Sequence, residues 1–88
     1  MIVRIDKSFE KDTYKIKDRK LLLKVAASIK QVKASQSLPE IHNLKKLTGF
    51  SNHYRIRIGE YRIGLLIKGK MATFERFLHR KEIYRYYP

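Results

Sequence analysis

The chain has 88 residues, enough for one domain with a modest core, and its 21 lysines and arginines against 8 acidic residues give it a formal net charge of +13. This charge attracts polyanions, with nucleic acid as the first candidate, an acidic protein as the second and an anionic membrane surface as the third. The absence of cysteine excludes disulfides and zinc–thiolate sites, and the lack of a long apolar run or a signal-peptide core favours a cytoplasmic protein with no membrane contact.

The N-terminal part of the chain predicts one strand followed by two helices. Residues 2–5 form a β-branched run that is typical of a strand. Asp6 or Ser8 can cap a first helix, and Asp18 marks a break after it. A second helix is predicted over about residues 19–33, and we expect its apolar face in the core: Leu22, Val25, Ala26, Ile29 and Val32.

A polar connection follows the second helix and extends over residues 35–49. After it, residues 54–64 alternate arginine with isoleucine, a pattern typical of two strands with one buried and one open face. Gly59-Glu60 suits a two-residue type II′ turn, so the sequence predicts a tight hairpin in which Arg57 faces Arg62.

Three arginines share the open face of this predicted hairpin. Arg57 and Arg62 lie directly opposite each other and repel, which destabilises a sheet unless an anion lies above them. Guanidinium groups match the geometry of phosphate oxygens, so we interpret Arg55, Arg57 and Arg62 as a preformed anion platform. Gly64, opposite Arg55, would leave room above that side chain. The alternative is that these side chains only extend into solvent.

A second turn at Gly69-Lys70 leads into a last strand, residues 71–79. The sequence therefore predicts an α+β fold over residues 1–88. It consists of an antiparallel sheet of about four strands with the N-terminal strand at one edge, two helices packed on one face, and a short C-terminal helix or tail.

The register of the last strand decides where His79 lies. Without a bulge, Arg62 pairs with Phe77, so that His79 points to the face of the arginines and Arg76 points to the core. A β-bulge in this strand would release Arg76 from the core, but it would also move the residues on one side of it to the opposite face.

Cleavage of RNA without a metal ion needs a base for the 2′-hydroxyl, an acid for the departing 5′-oxygen and cations around the phosphorus. His79 and Tyr84 can provide titratable groups, and His53 flanks the hairpin. The C-terminal segment can instead form a last helical turn that packs Ile83 and Tyr87 inward.

Metal-dependent cleavage needs clustered carboxylates, and the basic half of the chain has few of them: Glu60, Glu75 and Glu82. We therefore expect neither a metal ion nor a cofactor.

Three segments resemble the RelE/ParE toxin superfamily of bacterial toxin–antitoxin systems: residues 44–49, residues 54–63 and residues 79–84. The resemblance extends over nearly the whole chain, and the hairpin and the C-terminal segment are its most specific parts. It implies the same α+β fold. In the RelE branch the toxin enters the ribosomal A site and cuts mRNA, whereas in the ParE branch the same fold inhibits DNA gyrase and lacks the nuclease residues.

The resemblance also implies RNA-binding roles for basic residues of the first two segments. Arg55 and Arg57 lie where RelE-like toxins place basic residues against the mRNA backbone. The same role is expected for three neighbouring residues: Lys45, Lys46 and His53.

A catalytic set in the C-terminal half is implied in the same way: Arg62, which would stabilise the scissile phosphate, with His79 or Arg80, and Tyr84. RelE itself has lysines at the two hairpin positions, and lysine can lose its proton whereas arginine cannot. If this chain is a nuclease, its base is then His79, Tyr84 or His53.

The favoured prediction is the toxin of a type II toxin–antitoxin system that acts as a ribosome-dependent mRNA endonuclease. Its expected partners are mRNA in the ribosomal A site and an acidic cognate antitoxin, which would form a hetero-oligomer with it and offset its positive charge. Two alternatives stay open: a non-catalytic, ParE-like inhibitor of DNA gyrase, and a plain basic RNA-binding module.

Overall fold

The computed structural model describes residues 1–88, which form five strands and three α-helices. The strands are β1 (Ile2–Ile5), β2 (Leu44–Lys46), β3 (His53–Ile58), β4 (Tyr61–Lys68) and β5 (Met71–His79). The helices are α1 (Lys7–Tyr14), α2 (Arg19–Ala34) and α3 (Arg80–Tyr86), and a short 3-10 helix spans Leu38–Glu40. The predicted α+β class is confirmed.

The strands form one sheet in the order β1-β5-β4-β3-β2, in which β1 is parallel to β5 and the other neighbours are antiparallel. The predicted meander and the N-terminal edge strand are both present. The sheet has five strands rather than about four, because Leu44 pairs with Ile56 and adds β2 at the other edge. A strand of three residues contains too little alternation to stand out within a polar connection.

Helices α1 and α2 pack on one face of the sheet and build the main core. Phe9 of α1 lies edge-on against Phe74 and Phe77, with ring centroids 5.5 and 6.3 Å apart. On α2, Val25 and Val32 are buried. Ala26, predicted to be in the core, is exposed, because only a narrow stripe of α2 contacts the sheet.

Helix α1 covers the edge of β5 beyond the point where β1 ends. Strand β1 pairs with β5 only as far as Phe74. Beyond it, the Ser8 hydroxyl donates to the carbonyl of Glu75 (2.6 Å), and the Asp12 carboxylate accepts from the backbone N–H of Phe77 (2.9 Å). These side chains satisfy backbone groups that a longer edge strand would otherwise pair.

A β-bulge at Glu75 shifts the register of β5. Gly64 pairs with Arg76, but the next residue of β4 pairs with Phe74, which leaves Glu75 as the extra residue. The bulge brings Arg76 to the buried carboxylate of Asp12, with Nε–Oδ2 at 2.8 Å and Nη2–Oδ1 at 3.2 Å. This hydrogen-bonded pair raises the pKa of the Arg76 guanidinium above its ordinary value. In an unbulged strand the charged side chain of Arg76 would point into the apolar core, and the bulge prevents this.

Helix α3 turns back over the opposite face of the sheet. Ile83 is fully buried there, and Tyr87 is 6% exposed. Both pack with Leu47 and Leu78 in a second, smaller core. The tail thus follows the alternative in which Ile83 and Tyr87 pack inward, and helices cover both faces of the sheet rather than the one face predicted. None of the helices has the length and apolarity that a membrane crossing requires.

We predict that Asp12→Ala lowers the free energy of unfolding by about 2–4 kcal/mol, because it leaves the N–H of Phe77 and the guanidinium of Arg76 without their acceptor. Urea unfolding followed by circular dichroism measures this loss. The matched control is Glu60→Ala, which removes the other ion pair of the chain, an exposed one with Arg80. We expect the control to cost less than about 1 kcal/mol. Equal losses in the two variants would contradict the role given to Asp12.

Candidate functional site

The open face of β2, β3 and β4 carries two cross-strand rows of cations. In one row Lys45 lies opposite Arg55, which lies opposite Gly64. In the next row Arg57 lies opposite Arg62, as the hairpin register predicted. None of these cations belongs to either of the two ion pairs of the structure, Arg76–Asp12 and Arg80–Glu60. The face therefore concentrates positive charge that the chain itself does not neutralise.

Two of the arginines on this face are fixed by backbone carbonyls. Arg62 Nη1 donates to the carbonyls of Gly59 and Tyr61, both at 2.9 Å. Arg55 Nη1 donates to the carbonyl of Asn43 at 3.1 Å. Carbonyl partners orient a guanidinium without cancelling its charge, so these two groups are positioned in advance for an anion.

The predicted empty space above Arg55 is occupied. Gly64 does leave room, but the ring of Tyr87 fills it, since a Cβ at Gly64 would lie 2.7 Å from Cδ2 of that ring. The Tyr87 hydroxyl donates to Oε1 of Glu75 at 2.7 Å. Burial, with this carboxylate as a second cause, raises the pKa of Tyr87 well above its ordinary value. Tyr87 is thus a neutral anchor for the C-terminal tail.

The anchored tail and the β2–β3 loop enclose a groove of about 420 Å³ beside the arginines. Its lining brings together Arg55 and the exposed Tyr84, which the sequence had placed in separate segments. We call it the tail groove, and its lining residues are Lys45, Lys46, Leu47, Thr48, Phe50, Arg55, Tyr84, Tyr87 and Pro88. Cations and a free phenol thus share one concave surface.

His53 lies on the same side of the sheet as the tail groove but does not line it. Its ring is half-buried between two other rings, with centroids 5.7 Å from Phe50 and 5.6 Å from Tyr87, both edge-on. His53 therefore supports the loop and the tail from beneath.

The expected place of His79 beside the arginines is wrong. Because of the bulge, Arg62 pairs with Leu78 instead of Phe77, and His79 pairs with Tyr61 on the face of α1 and α2. Its ring contacts Tyr61 edge-on at 5.4 Å. Its Nδ1 accepts from the backbone N–H of Lys81 at 3.2 Å and caps the start of α3.

Arg80 also lies outside the tail groove. It forms an exposed ion pair with Glu60 in the β3–β4 turn, and its backbone N–H donates to the carbonyl of that residue at 2.8 Å. Of the four predicted catalytic residues, Arg62 and Tyr84 are thus on the open face, while His79 and Arg80 are engaged elsewhere. No three histidine or carboxylate side chains lie close enough together to hold a metal ion.

The position of Tyr87 over the sheet and the place of Phe50 in the groove were not predicted from the sequence. The signal for Tyr87 was Gly64, since a glycine inside a strand often marks a close approach of another group. The signal for Phe50 was its position as a single large apolar residue in the polar segment from Thr48 to Asn52.

Comparison with known proteins gives one close sequence relative. The chain is 38% identical to Toxin RelE3 of Methanocaldococcus jannaschii over 89 aligned positions, which cover all of both chains. It also resembles a chain in the crystal structure of the RelB–RelE antitoxin–toxin complex from Methanococcus jannaschii. That match has a TM-score of 0.81 and 36% identity, and it covers 97% of this chain and 99% of the other.

A more distant likeness concerns the fold alone. The toxin–antitoxin complex RelBE2 of Mycobacterium tuberculosis matches with a TM-score of 0.70 and 21% identity, over 90% of this chain and 96% of the other. No family model matches the chain.

We predict that stability falls less steeply at high pH in Tyr87→Phe than in the wild type. The pKa of Tyr87 is raised in the folded state, so its contribution is complete below the unfolded pKa of about 10 and is lost as the pH rises above it. The wild type should therefore lose up to about 1.4 kcal/mol per pH unit more than Tyr87→Phe above pH 10.

Urea unfolding at several pH values between about 9 and 11 tests this difference. Tyr84→Phe is the matched control, because Tyr84 is 61% exposed, and its slope should equal that of the wild type. Parallel curves for the wild type and Tyr87→Phe would show that Tyr87 is not buried as a neutral phenol.

Proposed function

Because the chain belongs to the RelE family, the toxins of toxin–antitoxin systems, we propose that it arrests translation as an mRNA endonuclease acting on ribosomes. The observation that carries this proposal is the tail groove, where the exposed phenol of Tyr84 lies beside Arg55 and two lysines. Binding RNA needs only cations. A free hydroxyl next to them also allows proton transfer.

The proposed reaction is an in-line attack of the RNA 2′-oxygen on the adjacent phosphorus. The 2′-hydroxyl loses its proton to a base, the new P–O bond forms, and the bond from phosphorus to the 5′-oxygen breaks. Tyr84 donates its proton to that departing oxygen, so the products are a 2′,3′-cyclic phosphate and a 5′-hydroxyl. These bond changes and proton transfers are complete without a metal ion.

We propose the general base from among the residues that line the tail groove. His79 lies on the other face of the sheet, and His53 is enclosed between Phe50 and Tyr87. Lys45 lines the groove opposite Arg55, and a lysine, unlike an arginine, can become a neutral amine that accepts a proton. We therefore assign Lys45 to the 2′-hydroxyl and Tyr84 to the leaving oxygen.

The arginines supply the remaining requirement, the stabilisation of charge at phosphorus. Arg55 and Arg62 are held by carbonyls before any ligand arrives, so they need little reorganisation as negative charge develops. Arg57 is exposed and makes no side-chain hydrogen bond, which suits a contact to a neighbouring phosphate.

We propose an acidic cognate antitoxin as the partner that silences this toxin. The similar RelE chain from Methanococcus jannaschii was crystallised with its antitoxin RelB. A net charge of +13 and an open face with unpaired cations favour a negatively charged partner. Such a partner would compete with RNA for the same face.

We predict that Tyr84→Phe lowers the rate of mRNA cleavage on ribosomes by about a hundredfold or more, because the proton donor is lost. Its association with ribosomes should not change, since affinity comes from the cations. The control is Tyr86→Phe, an exposed residue of the same helix that does not line the groove. Cleavage is measured with EDTA present, after ribosome integrity has been checked separately. Full activity in Tyr84→Phe would contradict the assignment.

We predict that Arg62→Ala abolishes growth arrest while the protein stays folded. The loss of one cation at the reacting phosphate should cost about a hundredfold to a thousandfold in rate. It also removes the repulsion with Arg57, so the fold should lose little stability. The control is Lys30→Ala on the exposed surface of α2. Translation and DNA replication are both measured after induction. Replication arrest without translation arrest would instead favour a gyrase inhibitor.

A further inference from the structure

Phe50 lies in the β2–β3 loop with 45% of its surface exposed. Burial of a phenylalanine in a core is favourable because it removes apolar surface from water, and this ring forgoes part of that gain. Its neighbours on either side in the loop are polar or glycine: Thr48, Gly49, Ser51 and Asn52. A partner from outside the chain can therefore reach the ring.

The ring opens onto the tail groove rather than onto bulk solvent alone. Phe50 and Tyr84, both exposed aromatic residues, line the same groove as Lys45, Lys46 and Arg55. Cations that hold a phosphate backbone, interleaved with free aromatic faces, are the combination by which proteins bind single-stranded nucleic acid. Tyr14, the most exposed aromatic residue of the chain, lies outside this groove.

The position of the Phe50 ring is supported by a line of aromatic rings that leads back to the sheet. Phe50 contacts His53, and His53 contacts Tyr87. Tyr87 in turn rests on Gly64 and donates to Glu75. A ring held in place before binding loses less conformational entropy when a ligand stacks on it.

We infer that Phe50 stacks on a nucleobase of single-stranded RNA bound in the tail groove, beside the nucleotide whose phosphate contacts Arg55. The assignment of the bound polymer as RNA rests on the proposed function. Stacking uses the face of a base and not its edges, so Phe50 would contribute affinity and position the strand with only a modest preference among bases. An acidic protein segment is the other conceivable occupant, and the experiment separates the two.

The chain has no tryptophan, so Phe50→Trp introduces a single fluorescent reporter at this position. The variant is titrated at low salt with a short single-stranded RNA, with an oligomer of the same length that lacks bases, and with poly-glutamate. We expect quenching that saturates with the RNA and little change with the two polyanions that have no bases. Equal quenching by the abasic oligomer would overturn the inference. Quenching by poly-glutamate alone would identify the groove as a protein-binding site.

The matched control is Tyr14→Trp, which places the same reporter on a 91% exposed position at the end of α1, with Lys11 and Lys15 nearby in the chain. This surface is also cationic but lies outside the tail groove, so the reporter should not be quenched by stacking. Equal quenching of both reporters by RNA would mean that bases contact any exposed ring, and the assignment to Phe50 would fail.

A second variant measures affinity without a reporter at this site. Phe50→Ala should weaken binding of the RNA by about tenfold and leave binding of the abasic oligomer unchanged. These measurements do not depend on cleavage. If the wild type does not cut mRNA but Phe50→Trp is quenched only by RNA, the stacking site stands and the proposed function fails. If mRNA is cut and neither variant distinguishes RNA from the abasic oligomer, the function stands and the stacking site fails.

Discussion

The β-bulge at Glu75 is the local constraint on which the arrangement of both faces depends. It directs two adjacent side chains to different partners. Arg76 binds Asp12 of α1, and the carboxylate of Glu75 accepts a hydrogen bond from the hydroxyl of Tyr87. One extra residue in β5 thereby connects the N-terminal helix and the C-terminal tail to the same strand. It also decides that Leu78, and not Phe77, pairs with Arg62, which places His79 on the other face of the sheet. Without the bulge the open face would have a different chemistry.

Aromatic contacts connect this irregularity of the backbone to the shape of the tail groove. Tyr87 is a structural residue of the tail groove, since its ring fills the space over Gly64 and it packs with the buried Ile83 of α3. The groove exists because α3 is held in this position, with Tyr84 on the accessible side of the helix. The exposed Tyr84 thus lies between two buried residues of the C-terminal segment, Ile83 and Tyr87.

Positive charge is distributed over the whole molecule, and this affects how the proposed site should be tested. Residues 7–33 alone contain nine lysines and arginines against three carboxylates, and α1 and α2 lie on the face away from the arginines. Non-specific attraction to RNA is therefore expected from both faces. The open face differs in having carbonyl-oriented guanidinium groups, an enclosed groove and free aromatic rings. The selectivity and chemistry proposed for this site depend on these features, because net charge alone supplies neither.

The sequence by itself determined the features that depend on neighbouring residues. The alternation of residues 54–64 and the Gly59-Glu60 turn are local signals, so the hairpin and the pairing of Arg57 with Arg62 were predicted correctly. Charge, the α+β class and the resemblance to the toxin superfamily were also readable from the chain. Tertiary structure alone decided where His79 points and what lies above Gly64. Both depend on long-range contacts: of Asp12 with β5, and of Tyr87 with Glu75. The pattern of residues along a single strand does not reveal such contacts.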